Sequence, residues 1–162
     1  MKQWKKTQKG VYELFVNDQQ IGTMHIAQAS MERKAIVQLQ DQIFTIKRTG
    51  FWKSSISITD QQEASVAAIY PTKWYAKSYT MDYNEKKYSL SARNNPLAEW
   101  VINDNETELI AYGLETNEGE IAVKITSFET TDYLFDALLW YLFLPIAMEN
   151  GSDNLDFILL TA

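Results

Sequence analysis

Asp132-Tyr-Leu-Phe-Asp-Ala-Leu-Leu-Trp-Tyr-Leu-Phe-Leu-Pro-Ile-Ala-Met148 is the stretch whose reading decides the fold. It has the length of a helix and is apolar on every side. A helix with one hydrophobic stripe lies on a surface, whereas one hydrophobic all round is covered by protein or by lipid. About 16 apolar residues fall short of the roughly 20 that a membrane span needs, and Asp136 and Pro145 interrupt them. Protein is the expected cover, and no transmembrane segment is expected.

What surrounds this stretch supplies that cover. Apolar and polar residues alternate in short pieces, clearest in Ser55-Ile-Ser-Ile-Thr59 and Ile121-Ala-Val-Lys-Ile125. A period of two marks strands with one wet and one dry face. Strands are expected near 11–16, 21–27, 34–39, 42–48, 55–59, 64–70, 74–83, 86–91, 97–102, 108–114, 119–128 and 155–160. Asn17-Asp18, Asp41, Asp60, Asn84-Glu85, Asn94-Asn95-Pro96, Asn103-Asp104-Asn105 and Asn117-Glu118-Gly119 punctuate them, residue types that tolerate tight reversals. The expected fold is a mainly antiparallel, closed barrel of about twelve strands enclosing one hydrophobic helix, as a single domain over residues 1–162. Seventeen helical residues span about 25 Å, similar to the height of strands of seven or eight residues. Pro145 cannot donate to the carbonyl of Tyr141, so a kink or an early end is expected there. Asn150-Gly151 suits the close of the helix. Asp132 and Asp136 sit where the helix dipole favours anions, with capping as their ordinary role. A barrel filled in this way leaves little room for a ligand, unlike a lipocalin-type carrier.

Composition narrows the function classes. The chain has no Cys, which removes disulfides, thiolate metal sites and cysteine nucleophiles. Seven Phe, nine Tyr and five Trp provide a large core instead. The basic N-terminus, Met1-Lys-Gln-Trp-Lys-Lys-Thr-Gln-Lys-Gly10, lacks the apolar run of a signal peptide, so a cytoplasmic location is expected. The net charge of -6 is unevenly spread: residues 1–93 hold 14 of the 15 Lys and Arg but 8 of the 21 acids. Within one domain, this predicts opposed faces or strands that attract across the closure.

The segment Ile43-Phe-Thr-Ile-Lys-Arg-Thr-Gly-Phe-Trp-Lys-Ser-Ser-Ile-Ser-Ile-Thr-Asp60, followed by Ala64-Ser-Val-Ala-Ala-Ile-Tyr70, resembles the central hairpins of the tubby-like superfamily, which includes the LURP-one-related proteins and the phospholipid scramblases. The late helix followed by Asn154-Leu-Asp-Phe-Ile-Leu-Leu160 is similar in order to the end of that domain. The resemblance implies a twelve-stranded barrel around a central hydrophobic helix, and phosphoinositide binding or membrane action in some relatives. The Cys-rich and Pro-rich segments of scramblases are missing here, as is a calcium-loop pattern beside the helix.

On their own chemistry, Lys47, Arg48 and Lys53 with Phe51 and Trp52, and Lys73 and Lys77 with Trp74, form two basic and aromatic clusters near turns. Cations near an anionic leaflet contribute about 1 kcal/mol each, and exposed aromatics settle in the headgroup zone. The five cations are the candidate headgroup-binding residues, and Phe51, Trp52 and Trp74 the candidate membrane contacts; the ordinary reading is that Phe51 and Trp52 pack on the barrel end while the lysines keep an edge soluble. Lys2, Trp4, Lys5, Lys6 and Lys9 are read as a mobile arm of the same character. The alternative partner is a protein or a second copy, met through opposed acidic and basic faces. Nucleic acid is not expected at a pI near 4.8. No catalytic constellation, metal site or cofactor is expected: His25 is the lone histidine, and the pairs Glu106/Glu108 and Glu118/Glu120 flank turns.

Overall fold

Two-residue steps in burial run through the segments between residues 11 and 71, whereas Trp100–Ile102 and Ile110–Leu114 are buried on consecutive residues. In Lys34–Leu39 the buried residues are Ala35, Val37 and Leu39, and in Ser55–Thr59 they are Ile56 and Ile58. A computed structural model describes residues 1–27, 33–49, 54–73, 77–94, 97–127 and 132–150, and the backbone of 159–161. The strands are β1 (Lys2–Gln8), β2 (Val11–Val16), β3 (Gln19–Ala27), β4 (Lys34–Leu39), β5 (Gln42–Thr49), β6 (Ser55–Thr59) and β7 (Ser65–Pro71). They continue as β8 (Ser78–Tyr83), β9 (Lys86–Asn94), β10 (Ala98–Asp104), β11 (Thr107–Asn117) and β12 (Glu120–Ser127). The helix α1 (Tyr133–Asn150) and a short β13 (Leu159–Thr161) complete the order.

Each strand from β1 to β12 pairs antiparallel with the next, and β13 lies parallel to β12. Antiparallel neighbours can be joined by tight turns, whereas a parallel partner needs a crossover, and α1 is that crossover. The turns carry the predicted chemistry. Asn17 and Asp18 have φ of 50° and 65°, Asn84 and Glu85 50° and 60°, and Glu118 and Gly119 50° and 86°. Two successive positive φ values give the reversal whose twist matches the flanking strands.

The sheet curls into a nearly closed barrel with α1 inside. Leu134 to Leu144 are buried without a break, and so is Ala147. Rings around the wall meet the helix from several sides. Trp140 stacks on Trp4 of β1 at 5.4 Å, meets Tyr12 of β2 at 5.6 Å and Tyr112 of β11 at 6.4 Å. Phe135 takes Tyr83 of β8 and Tyr88 of β9 edge-on at 5.7 and 5.1 Å. Aromatic pairs in such offset and edge geometries add about 0.5–1.5 kcal/mol beyond their buried area.

Two expectations are corrected. The N-terminal segment is no mobile arm: it is β1, paired with β2, and its Trp4 is in the core. Of the kink or early end expected at Pro145, the early end does not occur: the helix runs on to Asn150, where the Asn150 side chain donates 2.8 Å to the carbonyl of Ile146. Pro145 removes one intrahelical hydrogen bond, to the Tyr141 carbonyl, and the turns on either side of it carry the helix through. Of the expected final strand at 155–160, only 159–160 fall among the described residues. No helix among them is long and apolar enough to cross a membrane.

Candidate functional site

Strand alternation decides which cations share an end of the barrel. In an antiparallel meander alternate strand ends share one end of the sheet, so the ends of β3, β5 and β7 and the starts of β4, β6 and β8 lie at the same end. The cavity that α1 leaves at its C-terminal side is lined by the end of β3 and the start of β4, which identifies this as the mouth over the last turns of the helix. Lys47 and Arg48 lie near the end of β5, and Lys73 and Lys77 lie between β7 and β8 with both side chains exposed. The fold therefore brings these four expected cations to one mouth. Lys53, Phe51, Trp52 and Trp74 lie outside the described residues.

The two residues at the end of β5 are not equivalent. Lys47 sits on the outer face, opposite Lys34 of β4 on one side and Ser57 of β6 on the other. Like charges directly opposite across a ladder are destabilising. Arg48 shares the parity of buried Phe44 and Ile46 and so points inward. Arg33, absent from the sequence-based set, has the parity of Ala35, Val37 and Leu39 and also points inward. Counting back by twos from Leu39 would have found it.

Arg33 is held in place by the helix. Its guanidinium carbon lies 4.6 Å from the centre of the Tyr141 ring, and the Tyr141 hydroxyl donates to the Arg33 carbonyl. The Arg48 amide donates to that same carbonyl at 3.4 Å. Burial pushes the Arg33 guanidinium below its ordinary value, Tyr141 pulls it up and Arg48 pushes it down. Arginine stays charged regardless. Neither Arg33 nor Arg48 has a carboxylate at ion-pair distance among the described residues, and Nε of Arg48 is buried without a hydrogen-bond partner among them.

Several cations elsewhere are in ion pairs. Lys86 pairs with Asp104 at 2.9 Å, Lys87 with Asp82 at 2.7 Å, and Arg93 with both Glu99 and Glu108 at 2.6 and 2.5 Å. Lys124 reaches Glu115 at 3.4 Å. Several of these pairs join the basic and acidic parts of the chain, so attraction between strands absorbs part of the charge asymmetry. At the opposite mouth, Lys2 meets the fully buried Asp136 at 2.8 Å; Tyr112 donates to the same carboxylate at 2.8 Å and accepts from Trp4 at 2.9 Å.

The remaining candidate groups are dispersed. His25 is exposed on β3, between Val11 and Ile36. Glu108 is engaged by Arg93, and Glu118 and Glu120 are exposed. Among the described residues no three His, Cys, Asp or Glu side chains gather as a metal would require. The interior is filled by α1 as expected, but room remains at the mouth: a cavity of about 540 Å³ lies between Tyr12, Ile26, Arg33, Leu144, Pro145 and Met148. Comparison with known proteins adds no family to this geometry: no family model, curated protein or solved structure matches the chain.

Proposed function

We propose that this chain is a non-enzymatic module that binds anionic phospholipid headgroups at a membrane surface, through the mouth carrying Lys47, Arg48, Lys73 and Lys77, with Lys53 in the same role. The carrying observation is the gathering of the four described cations at one end by three separate strand ends. Lys34 adds to them, set directly opposite Lys47. Each cation near an anionic leaflet contributes about 1 kcal/mol, so four or five of them bind usefully without a deep pocket. The barrel around a helix is also the architecture that the tubby-like resemblance implies, and membership of that superfamily is part of this proposal.

The test is cosedimentation of the purified chain with phosphatidylcholine vesicles, with and without phosphatidylserine or a phosphoinositide. Binding is expected only with the anionic lipid, at about 0.15 M salt where exposed charges are screened beyond about 8 Å. Replacing Lys47, Arg48, Lys73 and Lys77 together by Gln should abolish it. Equal sedimentation with neutral vesicles, or an unaltered quadruple variant, overturns the proposal.

A further inference from the structure

We infer that the cavity at the mouth over the helix C-terminus is a binding site for a single-chain anionic amphiphile, with the acidic head on the Arg33 guanidinium and the chain along Leu144, Pro145 and Met148. This goes beyond headgroup binding at the rim; the two readings share Arg48, but the head is placed on Arg33, which the rim reading does not use, so the Arg33 variant and vesicle-free binding test this one alone.

Three features converge on that ligand. The first is the cation. Arg33 is half-buried, faces into the barrel and lines the cavity, with no carboxylate partner among the described residues. A guanidinium offers five donors in a planar fork that fits a carboxylate or phosphate in a bidentate way. Tyr141 fixes one face of that fork by stacking, so little rotamer freedom is left to lose on binding. The second is the inward parity of Arg48, whose buried Nε has no partner among the described residues. Buried donors are nearly always satisfied, and two adjacent inward cations at one mouth give a net positive field that an anionic head complements.

The third is the apolar wall. Leu144 is buried, whereas Met148 keeps 44% of its surface exposed on the helix's last turn. Tyr12 and Ile26 face them across the gap. A cavity of about 540 Å³ lies within the roughly 300–1,000 Å³ typical of small-molecule sites. A head group alone would leave this wall wet, and a neutral chain alone would leave Arg33 without an anion. A second role for Arg33 is already visible, since a cation near a helix C-terminus favours the dipole and α1 has no basic residue in its last turn. That role predicts a change in stability without any ligand dependence, which the experiment separates.

The full-length chain is titrated by calorimetry with sodium decanoate, with decanol and with inorganic phosphate, no vesicles being present. Decanoate should bind saturably at one site. Decanol should bind at least about tenfold more weakly, the loss expected when a hydrogen bond to a charged group is missing, and phosphate should not compete. Arg33→Gln should weaken decanoate by about tenfold or more. Should that variant fail to fold, Met148→Asp, at a half-exposed position, places a carboxylate along the chain path and should weaken decanoate at least as much. No saturable decanoate binding overturns the inference, as does equal affinity for decanol, competition by phosphate, or an affinity unchanged in whichever variant folds. Vesicle cosedimentation is read in a separate experiment, so either reading can fail alone.

Discussion

Lys2 and Asp136 are 134 positions apart in sequence and meet at 2.8 Å inside the barrel. Asp136 is fully buried and the Lys2 side chain is 11% exposed. The pair ties the first strand to the helix, and Tyr112 completes the carboxylate's hydrogen bonding from β11. Taking two charges out of water costs several kcal/mol per ion, and a well-hydrogen-bonded pair only roughly offsets this. The pair therefore fixes where β1 docks more than it stabilises the chain.

A double-mutant cycle separates those two effects. Lys2→Met leaves a buried carboxylate without its cation and should cost about 3–5 kcal/mol at neutral pH. Lys2→Met combined with Asp136→Leu should recover most of that loss, because no unpaired charge remains. Urea unfolding of the three chains reads the cycle. A double variant as unstable as the single one would mean that the pair itself, and not the avoided orphan charge, is what stabilises.

The same carboxylate gives a pH dependence of definite sign. Burial holds Asp136 above its ordinary value of 3.8, opposed by Lys2 and by the Tyr112 hydrogen bond. The folded chain thus holds this proton more tightly than the unfolded one. Its contribution is complete below the unfolded value and is lost as pH rises through the raised folded value. Asp136→Asn removes this term, so the stability of the wild type relative to that variant should fall from acid towards neutral pH. A difference that stays flat, or rises with pH, contradicts the assignment.

How much of this was legible depends on whether the signal was local. The all-apolar helix and the alternating strands are written in consecutive residues, and Asn17-Asp18 and Asn84-Glu85 announce their turns through residue type. β1 was not legible. In Lys2-Gln-Trp-Lys-Lys-Thr-Gln8 only Trp4 is buried, and the ring that buries it, Trp140, lies far along the chain. Lys47, Arg48, Lys73 and Lys77 could be picked as cations, but their meeting at one mouth needs the strand order. Arg33 escaped because its inward side is set by parity with Val37 and Leu39, and a charged residue at a strand start reads as solvated.

Trp140 tests the enclosed helix. Its ring is fully buried, stacked at an interplanar angle of 6° on Trp4. Trp140→Ala should cost about 3–5 kcal/mol, as truncations of core Trp do. A loss under about 1 kcal/mol would be the value of a surface residue. Guanidinium unfolding, followed by far-ultraviolet circular dichroism so that the lost ring does not distort the signal, gives the number.

Asp132 links the helix start to the barrel wall. One carboxylate oxygen accepts from the Leu134 amide at 2.9 Å, and the other accepts from the Tyr83 hydroxyl at 2.5 Å. Burial and the carboxylate together raise the Tyr83 phenol above its ordinary value. Asp132→Ala should cost about 0.5–2 kcal/mol through the lost cap, and Asp132→Asn, which keeps an acceptor, should cost less. Tyr83 should titrate at lower pH in the Asn variant than in the wild type, read by absorbance of the phenolate. An unchanged Tyr83 titration would place that carboxylate away from the ring.

Gly22 and Gly113 separate backbone crowding from side-chain crowding. A Cβ on Gly22 would stand 2.7 Å from the Gln38 carbonyl oxygen and 2.6 Å from a Leu39 methyl. The carbonyl belongs to the β3–β4 ladder, so the strands must part to make room. On Gly113 a Cβ would meet only Glu99 side-chain atoms, at 3.2 Å and beyond. Gly22→Ala should therefore cost about 1–3 kcal/mol, the usual loss on overpacking. Gly113→Ala should stay within about 0.5 kcal/mol, as for a change whose neighbour can swing aside. Thermal unfolding of the two variants ranks them, and a Gly113 variant less stable than the Gly22 one would mean that Glu99 cannot move without giving up its ion pair with Arg93.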